Sequence, residues 1–376
     1  MPIATPLRPV IAVDANPATK PVVTGTERFT REVVRRLPEV APDLGWRFYA
    51  ARPAPGLGVD LTVLPFPRLW SQARLPAELT RRRPDLFLDL AHVVPALCPA
   101  PAIKVFHDLA FERFPGAYRP SDLAYLRWTA RHAARVCQTM ITLSEATRQD
   151  LISLYGVDPD RVTVVHAGGG EGSPAAHDRQ ADAAKLRGFG IDAPYVLSVG
   201  RIEPRKNQLT ALEAVERLPA LLLVCAGAIH DEAMAAHLDA SPRCRLLGRV
   251  ADAERDLLYR NAEVLLFPSL YEGFGLPVLE AMRQGIPVIA TRTSALPEVG
   301  GEAAIYVLDA RDSEAMAGAI RRIQDDPALR RRLVAAGRKQ AARFTWKRSA
   351  EGIADAVRAR LSLRGPATSG RRSSPS

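Results

Sequence analysis

The 376-residue chain lacks any apolar run near the roughly 18 to 20 residues that a membrane-spanning helix needs. Its longest such stretch, LPALLLVCAGAI (218–229), is strand-sized and is interrupted by Pro219 and Gly227. Cysteine is scarce: Cys98, Cys137, Cys225 and Cys244 are scattered without paired spacing. That argues against a zinc knuckle or a disulfide framework and sets a reduced, cytoplasmic protein as the expectation. The opening MPIATPLRPVIAVDAN has one arginine and then a β-branched strand, without a long apolar core before a cleavage site, so no signal peptide is expected. No zinc-finger, RNP-type or basic-zipper pattern is found, which sets nucleic acid aside as a partner.

What the chain has in excess is positive charge, 51 Lys and Arg against 41 Asp and Glu, for a net +10 and a pI of about 9.8. Arginines cluster at Arg74, at Arg81–Arg83 and along Arg127, Arg131 and Arg135. Such a balance suits a solvated arginine-rich surface, phosphorylated small molecules, or a peripheral hold on the anionic inner face of a cell membrane. The 47% hydrophobic content is that of a globular protein, and the length allows two domains.

Short apolar runs alternate with helical stretches along the whole chain. In the first half, VIAVDA (10–15), RFYAAR (47–52), LTVLPF (61–66), LFLDLA (86–91), AIKVFHDL (102–109), TMITLS (139–144) and RVTVVHA (161–167) read as strands. Between them lie an amphipathic helix at 24–37, a helix at 121–136 with Ser121 as its N-cap, and EATRQDLISLYG closing on Gly156. The segment 168–194 is rich in glycine, alanine and charge and reads as a linker; the alternation then restarts with strands at 194–200, 221–227, 244–250, 263–269, 287–292 and 303–308. This pattern predicts two doubly wound parallel sheets, whose ligands bind beyond the carboxyl ends of the strands, in the cleft between the two.

Three strand ends and one helix start carry chemistry. GRIEPRKN places Arg201 and Lys206 in one loop, a fork and a point charge suited to a diphosphate. YEGFGLPVLE sets Glu272 and Glu280 eight positions apart around a Gly-Phe-Gly-Leu-Pro elbow, whose N–H groups from Gly273 to Leu276 approach the start of a helix. From spacing alone these acids read first as one solvated and one capping glutamate, and second as holders of vicinal hydroxyls. His107 ends a strand before an aromatic loop, either as a structural imidazole or as a partner of a sugar hydroxyl. Gly25 opens the first long helix, as a plain loop glycine or as an approach to phosphate or acceptor. The Asp158-Pro-Asp160 segment has a metal-site look, but turn chemistry accounts for it.

TGTERFTREVVRRL, VFHDLAFERFPGAY, MITLSEATRQDLISLYGVDPDRVTVV, LSVGRIEPRKN and FPSLYEGFGLPVLEAMRQGIPVIATRTSALPEVGGEAAIYV, in this order, resemble the retaining family-four glycosyltransferases of the GT-B fold, and most resemble bacterial mannosyltransferase-like members. The resemblance implies two Rossmann-like domains facing a central cleft. These are an acceptor-binding half at 1–172, a linker at 173–193 and a nucleotide-sugar half at 194–345. A helix at 346–362 crosses back to the first half and a disordered tail occupies 363–376. It implies transfer of a hexosyl unit, mannosyl favoured, from GDP-mannose or a UDP-sugar to a saccharide or lipid-linked saccharide, without a cofactor or a metal. His107, Arg201, Lys206 and Glu272 would be catalytic. Gly25, Arg201, Lys206, Arg249, Val250, Glu272, Gly273, Phe274, Gly275, Leu276 and Glu280 would bind donor, with Glu272 on the sugar and Glu280 on the ribose. Glu298 occupies a further family position near the cleft. Two departures stand out: His166-Ala167-Gly168 replaces Pro-Asn-Gly, and Gly25-Thr26-Glu27-Arg28 replaces Gly-Ile-Gly-Arg. Competing readings are a nucleotide-sugar epimerase, a phosphorylase on the same fold, and a non-catalytic nucleotide-sugar-binding subunit.

Overall fold

A computed structural model describes residues 8–66, 68–91, 93–169 and 178–363. The apolar runs form two parallel sheets. The first contains β1 (Val10–Asp14), β2 (Gly45–Ala50), β3 (Leu61–Val63), β4 (Leu86–Asp89), β5 (Ala102–Phe106), β6 (Thr139–Thr142) and β7 (Val162–Val164), in the order β3-β2-β1-β4-β5-β6-β7. The second contains β8 (Tyr195–Val199), β9 (Leu222–Ala226), β10 (Cys244–Gly248), β11 (Val264–Phe267), β12 (Val288–Thr291) and β13 (Ala304–Val307), in the order β10-β9-β8-β11-β12-β13. Strands β4, β5, β9 and β11 are buried along their full length, as helices on both faces require. The order reverses between β1 and β4 in one sheet and between β8 and β11 in the other, so each sheet has one switch point where a crevice opens.

Local signals explain most helix boundaries. Gly156 ends the Glu145–Tyr155 helix in the left-handed conformation, at φ 62°. The helix read from Ser121 instead starts at Pro120, with Arg119 as its N-cap. Proline at the first helical position fixes φ where no N–H is needed, and this outweighs the serine. Asp158 accepts the Asp160 N–H at 3.0 Å, so that segment is a turn. Within the linker stretch, Arg179–Gly188 is a helix started by Asp178, which accepts from the Gln180 and Ala181 N–H groups; Asp182 receives Arg260 of the second half at 2.5 and 2.7 Å. The polar tail beyond residue 363 lies outside the described residues.

The Trp346–Ser362 helix leaves the second half and packs on the first long helix, Gly25–Val40. Ser349 Oγ donates to the His166 carbonyl at 2.8 Å, and Arg358 pairs with Asp43 at 2.6 Å. At this crossing a Cβ on Gly168 would lie 2.4 Å from the Trp346 nitrogen, so the two chain crossovers touch backbone to backbone.

At the switch point of the first sheet, Asp14 and Asp89 are register partners and Lys104 is the next in line; all three are buried. Lys104 pairs with Asp89 at 2.7 Å, and Asp14 accepts the Asn16 N–H at 2.9 Å. Burial, reinforced by the Asp89 charge, pushes Asp14 up to about 7. An acid raised on folding is protonated in the native state where the unfolded chain is already ionised. Its stabilising contribution is therefore full below the unfolded value of about 3.9, declines as pH rises towards 7, and is lost above it. Asp14→Asn keeps the Asn16 contact and removes this slope. The variant should melt several degrees above wild type at pH 8 and level with it at pH 4; equal melting temperatures at both pH values would refute the assignment.

Candidate active site

The site assembles where the switch point of the second sheet faces the first. The β8 strand releases the loop Gly200–Asn207, and β11 releases Pro268–Gly275; the two meet because their strands are hydrogen-bonded neighbours. Lys206 Nζ lies 2.5 Å from Glu272 Oε1 and 5.3 Å above the Phe267 ring. Arg205, which the sequence reading passed over, adds Nη1 at 3.6 Å from Glu272 Oε2 and donates to the Tyr271 carbonyl at 2.8 Å. Burial alone would raise the Glu272 carboxyl, but Lys206 and Arg205 hold it below the usual range. Burial lowers the Lys206 ammonium, and Glu272 only partly offsets this. Arg205 also pairs with Glu203 at 2.6 Å, so a mostly buried cluster of two cations and two acids waits at the strand ends. Arg201 is exposed at the loop's start, its carbonyl held by Gln208 Nε2 at 2.7 Å.

The elbow then turns into the Leu276–Gln284 helix. Gly275 sits at φ 109°, and a Cβ there would come 2.9 Å from Leu296, so glycine is required. The Phe274 side chain is buried in an aromatic cluster with His166 and Phe344, leaving its backbone as the part available to a ligand. Glu280 accepts from Tyr259 at 2.9 Å and lies 3.8 Å from Arg255, and Arg28 of the first half pairs with it across the cleft. Arg249 is exposed and Val250 half-buried after β10.

From the first half, Gly25 faces Leu276, which a Cβ would meet at 3.6 Å. Glu27, in place of the second family glycine, is buried and bonded within its own half. It accepts the Thr24 N–H at 3.1 Å and pairs with Lys20 at 3.0 Å, so it caps the helix and leaves Gly25 open. His107 is half-buried, its Nε2 donating to the Leu90 carbonyl at 2.8 Å and its ring edge-on to Phe29. Burial lowers its pKa despite that contact, which favours the neutral ring with Nδ1 left as an acceptor. Glu298 does not join this group: it accepts from the Glu145 N–H at 2.8 and 3.0 Å and lies 2.6 Å from His166 Nε2. His166, where the family has proline, is therefore an interdomain contact as well as part of the turn.

The model of the family "Glycosyl transferases group 1" matches residues 183–340, and that of "Glycosyltransferase Family 4" matches residues 23–168. O-antigen chain mannosyltransferase B of Escherichia coli is 31% identical over 65% of this chain and 67% of its own length. D-inositol 3-phosphate glycosyltransferase of Xylanimonas cellulosilytica is 31% identical over 71% of this chain and 68% of its own. In structure, HepE of Anabaena, crystallised with UDP and glucose, superposes with a TM-score of 0.72 over 94% of this chain and all of that one, at 17% identity. The fold is the two-sheet GT-B architecture.

Proposed function

The chain belongs to the group 1 glycosyl transferases, and we propose that it moves a mannosyl or closely related hexosyl unit from a nucleotide diphosphate sugar to a hydroxyl of a saccharide or lipid-linked saccharide, with anomeric retention. It is a glycosyltransferase that uses a nucleotide sugar; the sugar, the stereochemistry and the acceptor are the proposal. The observation that carries it is the buried Lys206–Glu272 pair at the switch point, with Glu280 on the helix that follows.

In this reading Arg201, Arg205 and Lys206 surround the diphosphate, Glu272 takes sugar hydroxyls and Glu280 the ribose, while the elbow backbone approaches sugar and phosphate. The anomeric C–O bond to the diphosphate breaks towards an oxocarbenium-like state, and the cations stabilise the negative charge as it develops. The acceptor oxygen bonds the same face of the anomeric carbon and passes its proton to the leaving phosphate oxygen. His107 lines the sugar side, and Gly25 leaves room for phosphate or acceptor. Neither a metal nor an organic cofactor enters these steps. The name of the E. coli relative supports mannosyl and an O-antigen-like acceptor; the inositol phosphate relative makes a phosphorylated cyclitol the acceptor to test against it.

No helix among the described residues is long and apolar enough to cross a membrane. A peripheral hold on an anionic leaflet rests on exposed Arg83, Arg131 and Arg135, since Arg74, Arg81 and Arg82 turn onto Glu78 and Arg127 onto Glu112. Each free arginine would contribute about 1 kcal/mol. A thermal-shift panel of GDP-mannose, UDP-glucose and UDP-N-acetylglucosamine should give the largest rise with GDP-mannose, followed by transfer to a mannan-type saccharide with retained configuration. Stabilisation by none of them sinks the donor assignment. Cosedimentation with anionic vesicles at low salt is expected in the same preparation, and its absence removes the membrane part alone.

A further inference from the structure

The Glu145–Tyr155 helix carries none of the site residues expected from sequence, yet its start and first two turns hold the donor loop from the opposite half. Ser144 Oγ donates to the Gly273 carbonyl at 2.7 Å and Thr147 Oγ1 donates to the same oxygen at 3.3 Å. Tyr271 OH donates to Asp150 Oδ2 at 2.8 Å. Glu298 seats its carboxylate on the first N–H of this helix, where the helix dipole favours a negative charge, and its other contact is His166 at the crossover between the halves.

We infer that the start of this helix sets the donor loop in its reacting position when the halves close, and that Ser144, Thr147 and Glu298 are positioning residues for the transfer. The inference rests on the donor site proposed above. A trans peptide points its C=O and N–H in opposite directions. Fixing the Gly273 carbonyl by two hydroxyls of the first half therefore fixes the Phe274 N–H on the other side of that peptide, in the elbow that approaches the donor. The second half alone holds Lys206, Glu272 and Glu280, so it can take up nucleotide while open. Only closure supplies the two hydroxyls and unites Glu298 with the helix start. Binding and turnover should separate accordingly.

In Glu298→Gln and in Thr147→Val, kcat should fall about tenfold and about threefold respectively, the sizes expected for a charged and a neutral hydrogen bond. Calorimetric affinity for UDP or GDP should stay within about twofold of wild type, because nucleotide contacts are unchanged. Thr147→Ser, which keeps the hydroxyl, should restore turnover. X-ray scattering should show nucleotide-bound Glu298→Gln more extended than nucleotide-bound wild type. Melting curves separate these effects from misfolding, and Thr147→Val, with its near-identical volume, serves should Glu298→Gln melt early. Turnover and scattering unchanged in both variants overturn the inference, as does a loss of nucleotide affinity in step with kcat, which would put these residues on the donor itself. Wild type binding neither UDP nor GDP overturns the donor site, and this inference with it.

Discussion

Lys206→Ala is expected to lower kcat by about 10²- to 10³-fold while the protein still folds, the loss typical of removing one preorganised donor from a developing anion. The Lys206 side chain is only 12% exposed, held 2.5 Å from Glu272 and above the Phe267 ring. A charge fixed in such a place need not reorganise as the leaving diphosphate becomes more negative, and it acts there more strongly than in water. The alternative, that Lys206 only neutralises Glu272, predicts near-normal turnover and at most a loss of stability, because an unpaired buried carboxylate is costly. Arg205 lies 3.6 Å from the same carboxylate and remains in the variant, so the fold should hold and turnover alone should fall. The pH profile discriminates further. Burial lowers the Lys206 ammonium, so turnover that needs its charged form declines on the alkaline side before about pH 10.4, the ordinary lysine value. Lys206→Arg does not titrate in that range and should carry what activity it keeps to higher pH. Near-normal kcat in the alanine variant, or an unmoved alkaline limb in the arginine variant, would take Lys206 out of the chemistry.

Both sheets were legible in the sequence because strands buried on both faces read as unbroken apolar runs, and helices between them as 3.6-period stretches. The expected strand at 263–269 is β11 (Val264–Phe267), and that at 194–200 is β8 (Tyr195–Val199). The loops following them were legible for a different reason: glycine and proline mark a forced turn, and charges at a strand end need a use. What stayed hidden is what only tertiary structure decides. Arg205 and Lys206 are adjacent, and the sequence does not say which side chain turns onto Glu272; both do. Arg28 reaches Glu280 across 252 positions, and Ser144 reaches Gly273 across 129, with no local pattern to announce either. Two boundaries were available and missed. Pro120 marks a helix start better than Ser121 does, and Asp178 before RQADAAKL signals an N-cap inside the presumed linker.

Gly273→Ala should abolish most turnover, by about 10²-fold or more, without harming the fold or the uptake of nucleotide. An added Cβ would lie 2.1 Å from the His107 carbonyl oxygen and 2.6 Å from Asp108 Cβ, distances that real Cβ atoms essentially never show. Both obstacles belong to the first half, whereas Gly273 belongs to the second. Its φ is not in the left-handed region, so alanine meets no conformational penalty of its own. The clash is therefore relieved simply by opening the cleft. This sets Gly273 apart from Gly275, whose φ of 109° and contact with Leu296 lie wholly within the second half and make it a folding requirement. Opening by even an ångström separates the Gly273 carbonyl from Ser144, 2.7 Å away when closed, and draws His107 away from the donor side. A displacement of that size costs about a hundredfold where reacting groups must be aligned. The expected result is a variant that melts like wild type, binds UDP or GDP with unchanged affinity, scatters as an open particle with nucleotide bound, and barely turns over. Wild-type turnover with the same melting temperature would show that the halves do not meet at Gly273 during the reaction, and early melting would place the obstacle inside the second half rather than across the cleft.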